Sequence, residues 1–133
     1  VNGFELVDRM IEAAKAAGQV PEETAKLAAP RIEAALQKTA AAGTTPSGEA
    51  WAPRKKDGGR AMAGAAKAIS VRAIGSSVRV TLSGPEVVHH YGEAKRGTPR
   101  RQVIPDAGEL PAPVVAAVED AARLAFARAT GGR

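Results

Sequence analysis

Between residues 68 and 82 apolar and polar side chains alternate. Ile69, Val71 and Ala73 are set against Ser70 and Arg72, then Val78, Val80 and Leu82 against Arg79 and Thr81. A two-residue period is the pattern of a half-buried strand. Gly75-Ser76, between the two runs, is the kind of two-residue link that closes a hairpin. The pattern predicts an antiparallel hairpin over 68–82. Its apolar face is buried, and its other face presents Arg72 and Arg79 to solvent or to a neighbour.

On either side the period lengthens. Phe4, Leu6-Val7, Met10-Ile11 and Ala14 recur at helical spacing, with Asn2 as N-cap and Gly18 as terminator. A second helix starts at Pro21, with Glu22 and Glu23 at its positive end. Ala25, Leu27-Ala28, Ile32, Ala35-Leu36 and Ala40 form its stripe, and Gly43 stops it. Pro30 inside this run is expected to kink the helix or split it, because proline has no backbone donor. Gly84-Pro85-Glu86 opens a short helix that closes at Tyr91-Gly92. Pro111 opens a last helix striped by Val114, Val118, Ala121 and Ala125. Gln102-Val103-Ile104, bounded by Pro105, reads as a short strand over 101–104 that could pair with the hairpin edge.

The expected fold is therefore α+β: a small antiparallel sheet packed against N-terminal helices and a C-terminal helix. A chain of 133 residues fits one domain over 1–133. Its parts are a helical region over 1–43, an extended loop over 44–66, the sheet, short helix and basic arm over 67–105, and the last helix over 110–130. The loop surrounds Trp51, the single tryptophan. Trp51 is read either as an anchor on the core or as a partner contact.

Composition narrows the chemistry. There is no cysteine, which excludes a disulfide scaffold and a thiol nucleophile. No apolar run approaches the ~20 residues that span a bilayer, and no signal-peptide pattern opens the chain, so no membrane association is expected. The two histidines, His89 and His90, are adjacent, so on a helix they point about 100° apart and serve one metal ion poorly. No serine stands in a Gly-x-Ser-x-Gly frame, and Gly58-Gly59-Arg60 lacks the Lys-Ser/Thr ending of a phosphate loop. Neither an enzyme nor a cofactor is expected.

The formal net charge is +5, concentrated in Arg54-Lys55-Lys56, Arg60, Lys95-Arg96 and Arg100-Arg101. These clusters are read either as solvated loops or as a surface for a polyanion or acidic partner. A basic nucleic-acid-binding module is the alternative function. The strands, however, carry no aromatics on which bases could stack, and no helix carries a dense basic row.

The order of features over 48–105 resembles the phage virion-morphogenesis family, the small tail-completion or neck proteins of tailed phages. The residues that carry it are Pro46-Ser47-Gly48-Glu49-Ala50-Trp51-Ala52-Pro53 with Arg54-Lys55-Lys56, the hairpin, the corner His89-His90-Tyr91-Gly92, and Pro99-Arg100-Arg101-Gln102-Val103-Ile104-Pro105. The resemblance implies a non-enzymatic virion component at the head–tail junction or tail terminus, assembled in the bacterial host cytoplasm. It would work as a homo-oligomeric ring, a hexamer or dodecamer. The partners implied are other copies, connector, neck or tail-tube proteins, and non-specifically the DNA in the channel. The interface residues expected are Trp51, Arg54, Lys55, Lys56, His90, Tyr91, Gly92, Lys95, Arg96, Arg100 and Arg101. Tyr91-Gly92 would set the direction in which the basic arm over 93–99 leaves. Arg100 and Arg101 are expected on the surface, where a charge reversal would barely affect the isolated fold.

Overall fold

The computed structural model describes residues 18–54, 58–59, 61–93, 95, 97–106 and 109–131. The helix read over 1–17, together with Lys55, Lys56, Arg60 and Arg96, lies outside them.

Helix α1 spans Val20–Ala41. It buries Ala25, Ala28, Ala29, Ile32, Leu36 and Ala40, one stripe at three- and four-residue spacing. It runs unbroken through Pro30, so the expected split does not occur. The reason is the face on which the proline sits. Pro30 is exposed while Ala29 and Ile32 are buried, so the missing N–H is lost on the solvent side and the packed side is untouched. The helix ends in a Schellman arrangement. Gly43 has φ 75°, its N–H donates to Ala40 O, and the N–H of Thr44 donates to Thr39 O.

The hairpin forms from β1, Ile69–Ile74, and β2, Ser77–Leu82, in the register Val71 opposite Val80 and Arg72 opposite Arg79. Helix α2 covers Glu86–Tyr91, and helix α3 covers Ala112–Ala129. The α+β class is the expected one: a two-stranded antiparallel sheet packs against α1, and α3 packs on α1. The core joins Ile32 and Leu36 of α1, Ile69 of β1, Val103, and Val114, Ala117 and Ala121 of α3. Nine of the fourteen buried apolar residues described are alanines. A buried methyl contributes only about 0.8 kcal/mol, so cohesion depends on close approach of α1 and α3 and on the few larger side chains.

Two expectations need correction. Residues 101–104 do not form a third strand; the sheet has two strands. The backbone groups of that segment are taken by side chains and by a helix end, as shown below, and are not left for a ladder. The loop that follows α1 is also less open than an extended segment. Thr44 bridges to Ala50, Thr45 N–H donates to Glu49 O at 2.7 Å, and the N–H of Trp51 returns to Gly43 O at 2.9 Å.

Candidate functional site

Helix α2 starts at Pro85, whose φ of −64° suits a helix start, and stops at Gly92. Gly92 has φ 75° and ψ 164°, a region open in practice to glycine alone. A Cβ there would lie 3.0 Å from Arg100 N and 3.2 Å from Thr98 O. The chain therefore doubles back tightly on the stretch 98–100. Glu93 and Thr98 then exchange two backbone hydrogen bonds, 3.0 and 2.9 Å, which close the basic arm into a small bridged loop.

This return lays residues 100–103 along α2. Arg101 N–H donates to His89 O at 2.7 Å, and Val103 N–H donates to His90 Nδ1 at 3.1 Å. Val103 is wholly buried and His90 nearly so. Because His90 accepts at Nδ1, the neutral ring carries its proton on Nε2, 4.0 Å from Asp106 Oδ1. Burial and the Arg100 cation hold His90 below the ordinary histidine value, while Asp106 and Glu109 oppose the shift.

Arg101 is buried, contrary to its expected place on a surface arm. Its Nε donates to Ala52 O at 2.7 Å, Nη2 to Pro53 O at 2.9 Å, and Nη1 to His89 Nδ1 at 3.0 Å. Guanidinium has no acceptor, so Nδ1 of His89 is the lone-pair nitrogen. The physical reason for the inward position is that three fixed acceptors replace water around the cation. Beside it, the indole N–H of Trp51 donates to Gln102 O at 2.7 Å, and the ring packs against the core. Trp51 thus anchors its loop, and Arg101 completes the fastening.

Arg100 faces outward. It donates to His90 O through Nε at 3.0 Å and forms an ion pair with Asp106 through Nη2. That bond holds the Asp106 carboxyl below the usual carboxylate range and raises Arg100. Gln102 Nε2 donates to Ile104 O and Glu109 Oε2, so the segment's last carbonyl is also occupied.

Of the expected interface residues, the structure brings together Trp51, His90, Gly92, Arg100 and Arg101 in this latch. Tyr91 projects from it, 70% exposed, with its ring edge-to-face against His90 at 4.7 Å between centroids. Lys95 is exposed on the bridged loop, and Arg54 is exposed beyond Pro53. Gln102, Asp106 and Glu109 are members that sequence reasoning missed. One signal was available for Arg101: in an extended stretch it shares a face with Val103. Among the described residues no group of three or more His, Asp or Glu could hold a metal ion, and no helix is long and apolar enough to cross a membrane. No family model, curated protein or solved structure matches this chain.

Proposed function

We propose that this chain is a structural virion subunit of a tailed phage, placed at the head–tail junction or tail terminus and working as a homo-oligomeric ring. The observation that carries the reading is the apolar surface left outside the core. Tyr91, Leu110 and Phe126 are 70%, 74% and 61% exposed. Two of the three described aromatic side chains thus face solvent in a chain that is 3% aromatic. Contiguous apolar patches mark surfaces completed by other chains, and these three side chains are the candidates for such contacts. A ring needs one face to meet a different face of the next copy. The latch supports this by fixing the corner from which Tyr91 and the Lys95 loop project. The order of the Trp51 segment, hairpin, corner and Pro99–Pro105 stretch, similar to the virion-morphogenesis family, gives the assembly its proposed setting.

The alternative, a basic nucleic-acid-binding module, is less well supported by this arrangement. Arg101 is spent on internal acceptors, and Arg100 is paired with Asp106. Two cations of the basic run are thereby withdrawn from a polyanion.

Sedimentation of the purified chain, alone and with isolated connector or tail-tube protein, tests the proposal. A defined multimer, or co-sedimentation in a fixed ratio, is expected, and Tyr91→Ala should weaken it. A chain that stays monomeric and does not enter particles would overturn it. DNA binding that weakens steeply with salt would favour the alternative.

A further inference from the structure

The two edges of the hairpin differ. Three observations fix which backbone groups point outward. Ser83 N–H donates to Ala68 O at 3.1 Å, continuing the ladder one step beyond Ile69 and Leu82. The two-residue turn closes on the pair Ile74 and Ser77. Val71 N–H is turned away from β2, toward Glu33 Oε1 at 3.2 Å. Antiparallel pairs alternate between bonded and non-bonded. Ser70–Thr81, Arg72–Arg79 and Ile74–Ser77 are therefore the bonded pairs, and Val78, Val80 and Leu82 direct their N–H and C=O groups away from β1.

The outer edge of β1 is covered over Ile69 and Val71, though no partner meets Ala73 among the described residues. The N–H of Ile69 goes to Ala66 O, that of Val71 goes to Glu33, and α1 lies alongside. The outer edge of β2 is open: among the described residues, the outward groups of Val78, Val80 and Leu82 meet no partner. Along this edge lie two cavities of about 250 and 390 Å³, both lined in part by Val80. Together they make a trough of largely apolar lining, with Arg79 and His90 in the first part and Asp106 and Glu109 in the second. Tyr91 and Ile104 line one part, and Leu110 and Val118 line the other. On the opposite face Arg72 and Arg79 stand directly across from each other, both exposed and neither with an ion-pair partner among the described residues. Like charges facing across a strand pair are unfavourable, and a carboxylate brought near them removes the penalty.

We infer that the open edge of β2 takes up an extended segment of another protein, in which acidic residues alternate with apolar ones. Main-chain bonds to Val78, Val80 and Leu82 would add it as a third strand. Its apolar side chains would enter the trough, and its carboxylates would lie over Arg79 and Arg72. The two-residue period of a strand gives both faces their partner at once. The inference names an edge and a partner chemistry. It stands whether or not the virion reading holds, because its readout is binding by the isolated chain and not entry into particles.

The test uses an acetylated and amidated peptide, Glu-Val-Glu-Val-Glu-Val-Glu, titrated into the full chain by calorimetry, with amide hydrogen exchange followed by NMR. Binding should slow exchange at Val78, Val80 and Leu82 and should weaken with salt. Val80→Pro removes an outward N–H without costing a ladder bond, a substitution that edge strands accept, and should abolish binding. Arg79→Glu leaves the fold intact because the side chain is exposed. It should weaken binding about tenfold and shift preference to the Lys-Val peptide of the same length. Unprotected amides at the three positions, or unchanged affinity in Arg79→Glu, would overturn the inference. So would protection of these amides that rises with protein concentration without peptide, which would assign the edge to a second copy.

Discussion

His90 Nδ1 accepts the backbone N–H of Val103 at 3.1 Å, and both residues are buried. A side chain on a short helix thus takes the place that a neighbouring strand would have filled. The bond ties the corner to the core, since Val103 packs with Ile32, Leu36 and Ile69.

His90→Phe keeps the bulk of the ring but leaves the Val103 N–H without an acceptor. The cost should be about 1–3 kcal/mol. His90→Ala adds a cavity and should cost about 2–4 kcal/mol. Urea unfolding of the two variants would separate the terms; equal stability to the parent chain would show that the bond contributes nothing.

Stability should fall as the solution is acidified, in two stages. Burial, reinforced by Arg100, holds His90 below 6.5, so the unfolded chain takes up its proton first. The contribution is complete above about pH 6.5 and is lost as pH falls through the lower folded value. Asp106, held below 3.8 chiefly by its bond to Arg100, acts in the same direction in a lower window. Urea midpoints measured from about pH 7 to about pH 3 should decline, and His90→Gln should flatten the upper part of the curve.

Arg100 and Arg101 should respond oppositely to replacement. Arg101→Ala withdraws donors from Ala52 O, Pro53 O and His89 Nδ1 and should cost about 2–3 kcal/mol. Arg101→Lys should recover little of this, since an ammonium lacks the fork that reaches three acceptors. Arg100→Ala, at a half-exposed ion pair, should change stability by about 0–1 kcal/mol. Denaturation curves that coincide for Arg100→Ala and Arg101→Ala would contradict the latch.

Gly92→Ala should destabilise by about 2–3 kcal/mol, because an L-residue is strained at φ 75° and its Cβ would press on the backbone of Arg100 and Thr98. Thermal unfolding would show the loss. An unchanged midpoint would mean that the corner can open without cost.

The hairpin was legible because alternation and a two-residue turn are local. The strands fall at 69–74 and 77–82 against an expected 68–82. The last helix was readable from Pro111 and from Val114, Ala121 and Ala125, but Val118 of the expected stripe is exposed and Ala117 is buried instead. The latch was not. Trp51 and Gln102 are 51 positions apart, and Arg101 and Ala52 are 49 apart, so no window of sequence contains both partners. The run Pro99-Arg100-Arg101 reads as surface charge, and only folding reveals that one arginine turns inward. The third strand failed for a related reason: a short run such as Gln102-Val103-Ile104 before Pro105 suits a strand but does not show what its amides bond to.

The pairing of α1 with α3 has a bearing on how the protein is made. A ribosome releases Ala28, Ile32 and Leu36 well before Val114, Ala117 and Ala121, which share their core. Over that interval the first of these helices lacks the part of its cover that α3 supplies. The fold closes only once α3 has left the exit tunnel, and a nascent chain halted before it would be a client for chaperones.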